Sequence, residues 1–161
     1  MSDRADRLAT TLKSRLVDTR KHLEALERAV AGFPNDFGLA EFERAWVGDA
    51  GERLTAYPIQ AGYENVINGC VTIAQELCEL NGWTRANLEP TSTEALKRLR
   101  ENRIIGSKTH AALKDAYERG GVVQHDYIGA VAREVHAATH AVIEHAPNLL
   151  QDVALHMRQR G

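Results

Sequence analysis

Arg119, His125 and Tyr127 fall within nine residues, in the stretch Arg119-Gly120-Gly121-Val122-Val123-Gln124-His125-Asp126-Tyr127. A guanidinium can grip a phosphate, an imidazole can move a proton near neutral pH, and a phenol can accept a hydrogen bond or a modifying group. Together they form a set suited to cleaving an RNA phosphodiester. On an unbroken helix Arg119 and His125 would stand about 120° apart. Each glycine between them costs about 1 kcal/mol against helix continuation. The backbone is therefore expected to break or bend at Gly120-Gly121, so that the two side chains converge or each meets a partner across a dimer. The competing reading pairs Arg119 with a nearby acid, Asp115 or Glu118, and leaves His125 and Tyr127 as packing residues.

The elements that must position these groups all read as helices. From about Ser2 to Ala31, Leu8, Leu12, Leu16, Leu23, Leu26 and Val30 recur at helical spacing, and Gly32-Phe33-Pro34-Asn35-Asp36 stops the run. A second helical region opens near Gly38, pauses around Gly48 to Gly51, and continues to Asn81-Gly82. Its apolar side is Leu54, Ile59, Val66, Ile67, Ile73, Ala74 and Leu77. Pro58 predicts a kink or a new start within it. Gly62 and Gly69 lie one heptad apart there and would admit a close neighbour, more often from within the chain than from a second copy. After a polar loop from Trp83 to Pro90, a short helix starts at Ser92-Thr93-Glu94-Ala95. A fourth starts with Ser107 as its cap and runs to the Gly-Gly pair. The last begins near His125 and carries Ile128, Val131, Val135, Ala138, Val142 and Ile143, with Pro147 marking its kink or end. No stretch alternates with a period of two, so no sheet is expected. The expected fold is a single domain over 1–161, an all-α bundle of about five helices. A two-fold dimer is expected too, because it would double a thin site and cover the apolar side of the second helix.

At 161 residues, 43% hydrophobic and 26% charged, the chain has the composition of a folded globular protein. It offers no apolar run of the roughly 20 residues that a membrane span needs, and no apolar core of a signal peptide, so a cytoplasmic location is expected. A formal net charge of −2 argues against indiscriminate coating of nucleic acid. Locally, Lys97, Arg98, Arg100, Arg103 and Lys108 form a basic cluster just before the motif. It is a candidate RNA-binding face or simply a solvated one. Cys70 and Cys78 lie about 12 Å apart along one helix, too far to bridge, and read as reduced packing residues. His136 and His140 have the four-residue spacing of metal ligands. Without a glutamate beside the first histidine or a second ligand cluster, they read as packed or solvated histidines, and no metal or cofactor is expected.

With the motif set among these helices, the chain resembles the HEPN superfamily, and within it the HepT-like toxins of bacterial toxin–antitoxin pairs. The shared pattern is an arginine, four to six residues, a histidine, one residue and a tyrosine; here these are Arg119, His125 and Tyr127. The segments Phe37-Gly38-Leu39-Ala40-Glu41-Phe42, Ile73-Ala74-Gln75-Glu76-Leu77, Thr93-Glu94-Ala95-Leu96 and Arg103-Ile104-Ile105-Gly106 are similar as well. The resemblance implies metal-independent endoribonuclease activity at a homodimer interface, with His125 as general acid/base, Arg119 holding the scissile phosphate and Tyr127 orienting the site. It further implies control by an MntA-like nucleotidyltransferase antitoxin that adds AMP to Tyr127. HepT-like proteins usually carry the arginine one position later, where this chain has Gly120, and one step on a helix is about 100°. The same fold also serves as a non-catalytic substrate-binding subunit of small nucleotidyltransferases, which is the alternative role.

Overall fold

The computed structural model describes residues 3–84, 91–125 and 130–160, with side chains described except at 121–125 and 130. Among them the chain is all helical: α1 (Asp3–Ala31), α2 (Pro34–Phe37), α3 (Leu39–Val47), α4 (Ala50–Asn81), α5 (Ser92–Glu101), α6 (Ser107–His125) and α7 (Ala130–Arg160). None of these helices is long and apolar enough to cross a membrane. α4 is the hub, and α1, α3, α5, α6 and α7 all pack on it. Its apolar residues Ile59, Val66, Ile67, Ile73, Ala74 and Leu77 are buried within this one chain. The apolar side of the second helix is thus covered without a second copy, apart from Leu54 near the N-terminal end, which is 69% exposed. Cys70 and Cys78 are buried and free, and burial pushes the thiols up to about 12 and about 11 respectively.

The tightest helix crossing uses the two heptad-spaced glycines. A Cβ on Gly62 would come within 2.9 Å of Leu26 Cδ1, and one on Gly69 would collide with the Thr19 side chain. The absent side chains let α1 lie directly on the α4 backbone, so the close neighbour lies within the chain. Leu12, Thr19, Leu23 and Leu26 form the buried stripe of α1 that fills the contact.

Local end signals are mostly where the residues place them. Asp49 caps α4 by accepting from the Glu52 N–H at 3.0 Å, after the expected pause at Gly48. Gly82 closes α4 in a left-handed conformation, φ 69°, that suits a residue without Cβ. Thr91 caps α5 through the Glu94 N–H. Ser107 is the first helical residue of α6 rather than its cap; the Gly106 carbonyl takes the first bond, from the His110 N–H at 3.0 Å.

At three positions where a kink or an interruption was expected, the helix continues without a new start, end or break. α4 runs through Pro58, α7 through Pro147, and α6 through Gly120-Gly121 as far as His125. Pro58 and Leu54 are exposed, so the carbonyl that loses its donor lies on a face that water can reach. Around Pro147, buried Val142, Ala146, Leu149, Leu150 and Val153 hold both halves of α7 to the core. Packing of α6 along α7 outweighs the glycine cost of about 1 kcal/mol each. α7 is described from Ala130 to Arg160, and where it begins relative to the motif lies outside the described residues.

Where a plain stop was expected after Gly32, the chain makes a left-handed turn. Asn35, Asp36 and Phe37 have φ of 52°, 52° and 58°. Such backbone costs roughly 1–2 kcal/mol per non-glycine residue. Burial of Phe37 edge-on to Phe33 and Phe42, with centroids 5.6 and 5.2 Å away, offsets it.

Gly69→Ala should therefore lower the free energy of unfolding by about 2–3 kcal/mol in a denaturant titration. Adding Thr19→Ala, which removes the atoms the new methyl would strike, should restore part of that loss. Equal stability of Gly69→Ala and wild type would refute the close crossing.

Candidate functional site

Arg119 sits on α6 where that helix faces α7. Its Nε donates to Asp115 Oδ2 at 2.7 Å, one turn back, and its Nη1 donates to Glu134 Oε2 at 2.6 Å on α7. The hydrogen bond to Asp115 foremost, then that to Glu134, raises the arginine's pKa against a partial burial that lowers it. Its side chain is 32% exposed and that of Glu134 26%, so the clamp is neither buried nor freely solvated. Among the described residues Nη2 has no partner, which leaves one edge of the guanidinium unclaimed.

His125 ends α6, and its side chain is outside the described residues, as are Asp126 and Tyr127 entirely. On the continuous helix the backbone positions of Arg119 and His125 lie about 9 Å apart along the axis and about 120° apart around it. Gly120-Gly121 therefore does not bring the two together within one chain by breaking the helix. Beneath this turn lies Tyr63 of α4, fully buried, its hydroxyl without a partner among the described residues. A Cβ on Gly120 would stand 3.9 Å from that hydroxyl. Burial foremost, then the charges of Glu64 and Glu134, raises the Tyr63 pKa. This tyrosine stays protonated and is no nucleophile.

The basic cluster divides. Arg98 is taken up by Glu94 at 3.5 Å and Glu101 at 3.1 Å, while Lys97 makes only a long contact to Glu101 at 3.8 Å. Lys97, Arg100, Arg103 and Lys108 are exposed. Of the acids considered for Arg119, Asp115 is the partner, whereas Glu118 faces Lys114 at 3.9 Å. The spacing of four signalled Asp115. Nothing local signalled Glu134, which lies fifteen residues away on another helix.

His136 and His140 meet each other rather than a ligand cluster. His136 Nε2 lies 2.8 Å from the Phe37 carbonyl oxygen and 3.3 Å from His140 Nε2. A carbonyl only accepts, so His136 Nε2 carries the hydrogen and His140 turns a lone pair toward the shared N–H. Among the described residues no group of three His, Cys, Asp or Glu side chains is arranged to hold a metal ion. Burial first, then the neighbouring His136, lowers the His140 pKa, against the Phe37 carbonyl and Glu144, which raise it.

Comparison of the chain with family models, with curated proteins and with solved structures finds no match.

Two outcomes are expected from this geometry. A double-mutant cycle of Arg119→Ala and Glu134→Ala should return a coupling of about 1 kcal/mol, modest because both groups are partly exposed; zero coupling would mean that the clamp does not hold α6 to α7. Because the folded state holds the His140 pKa below its unfolded value near 6.5, stability is fully present above that pH and falls as the pH drops through it. Thermal midpoints measured from pH 7.5 to 5 should decline, and His140→Gln should flatten the decline.

Proposed function

We propose that this chain is a HepT-like, metal-independent endoribonuclease of the HEPN type, the toxin of a toxin–antitoxin pair. The observation that carries the reading is the state of Arg119: the motif arginine is oriented by two carboxylates at the α6–α7 face, with one guanidinium edge unclaimed for a phosphate oxygen. In this reading His125 serves as the general acid/base for the 2′-hydroxyl and the leaving 5′-oxygen, and Arg119 offsets charge on the scissile phosphate. Arg119 and His125 occupy register positions about 120° apart on one continuous helix, so in this reading the working site is assembled from two copies of the chain, each supplying what the other lacks. Tyr127 orients the site and is the residue to which an MntA-like nucleotidyltransferase antitoxin adds AMP, blocking RNA by bulk and negative charge.

A second reading, the non-catalytic helical subunit of a small nucleotidyltransferase, draws on the same clamp. Asp115 and Glu134 together neutralise Arg119 and repel an incoming phosphate. Expression of wild type, His125→Ala and Arg119→Ala without a partner separates the two. The ribonuclease reading expects growth arrest and RNA breakdown that persist in EDTA, with cleavage by either variant down by at least about 100-fold. Intact RNA and normal growth with the wild type would sink it in favour of the binding subunit.

A further inference from the structure

On the other flank of α6, facing α5, lies a cleft of about 260 Å³ lined by Thr93, Glu94, Lys97, His110 and Lys114. His110 is only 8% exposed, and its Nε2 is buried without a hydrogen-bond partner among the described residues. An imidazole nitrogen left in that state bears an uncompensated desolvation cost. The two lysines at the cleft hold their acids loosely, Lys97 to Glu101 at 3.8 Å and Lys114 to Glu118 at 3.9 Å, and both lysine side chains are about half exposed. Pairs of that kind contribute little and exchange readily for a better acceptor. The one carboxylate in the lining, Glu94, lies 3.5 Å from Arg98, which offsets its charge. Thr93 belongs to the first turn of α5, whose N-terminal end adds partial positive charge. After burial, the cations Arg100, Lys114 and Lys97 lower the His110 pKa, a sign of the positive potential that fills this corner.

We propose that this cleft binds a phosphate group, gripped by Lys97 and Lys114 over a floor formed by His110. Lys114 and Arg119 are five residues apart on α6, about 140° around the helix and about 7.5 Å along it. The phosphate held here is therefore not the one at Arg119. Its source is either the backbone of an RNA or a small phosphate compound. Binding opposes the field on His110: an imidazole crowded by Arg100, Lys97 and Lys114 gains an anion beside it, and its protonation becomes easier.

The test is an NMR titration of the histidine rings in the full chain, with inorganic phosphate, adenosine 5′-monophosphate and a short single-stranded RNA as probes. The RNA arm uses His125→Ala so that the RNA stays uncut. The expected result is an upward move of the His110 titration midpoint on adding the probe. In Lys97→Ala/Lys114→Ala that move should be lost, and affinity should fall at least about 100-fold, as expected for losing two charge-assisted contacts. Lys97→Gln/Lys114→Gln, which keeps the side-chain length, should behave the same way and guards against a folding defect. A response to RNA that weakens in the double variants assigns the cleft to an RNA phosphate. A response to the small probes but not to RNA assigns it to a small phosphate compound. Failure of all three probes to move His110, or a move that survives in both double variants, overturns the proposal. Because binding is read rather than cleavage, an inactive but phosphate-binding chain would overturn the ribonuclease reading and leave this one standing.

Discussion

The bundle depends on how closely α1 approaches α4. At Gly62 and Gly69 the α4 surface has no side chain, so Leu26 and Thr19 rest against backbone, and the stripe from Leu12 to Leu26 becomes core. With α1 seated there, the remaining faces of α4 are left to α3, α5, α6 and α7, and α4 is enclosed over most of its length. Packing explains why α7 tolerates Pro147, whereas at Pro58 of α4 the carbonyl that loses its donor lies on an exposed face. A helix held by packing on both sides of a proline loses one hydrogen bond, whereas breaking it would uncover buried side chains on each side. The same reasoning covers Gly120-Gly121, where contact with α7 supplies what the backbone lacks.

The enclosure also sets the polar chemistry at the α6–α7 face. Tyr63 of α4 lies under Gly120, where a Cβ would stand in ordinary contact with its hydroxyl, and the Glu134 charge lies near enough to act on it. Arg119 is drawn between Asp115 and Glu134, tying the two helices together next to the turn that leads into the motif. The clamp serves structure and site at once. It fixes the guanidinium in one direction, as a phosphate-binding arginine needs, and it surrounds that guanidinium with two negative charges, which a phosphate must compete against.

Helical periodicity made the long elements legible, and the buried residues of α1, α4 and α7 are largely those that recur at three- and four-residue steps. Gly62 and Gly69 were legible as a close approach because their spacing puts them on one face. Asp115 was legible as the partner of Arg119 for a similar reason. The prolines and the Gly-Gly pair misled because they report local cost, while the outcome was decided by tertiary packing that no single segment contains. The left-handed turn at Asn35–Phe37 was hidden because only the aromatic cluster it completes makes such backbone tolerable. The place of Glu134 beside Arg119 and the burial of His110 depend on which helices become neighbours, and residue spacing carries no trace of that. The apolar side of the second helix, which suggested a dimer, finds its cover inside the chain, so a second copy has to be argued from the motif instead.

The charges on α6 are distributed unevenly around its axis. The flank toward α7 carries Asp115 beside Arg119, with Glu134 across from it, and is close to neutral or slightly acidic. The flank toward α5 gathers Lys114 and His110 with Lys97 and Arg100 nearby, and these cations add to burial in lowering the His110 pKa. A polyanion approaching this chain is attracted first to the α5 side, since long-range attraction follows net local charge and not the orientation of one arginine. Affinity and chemistry would then reside on different faces of the same helix. In the proposed reading such a separation accords with a net charge of only −2, because one basic flank would suffice for capture while the clamped arginine would act on a phosphate already brought close. It also means that losing chemistry at the motif would not remove the anion-binding face, so a catalytically silent relative with this charge pattern would still hold a phosphorylated ligand.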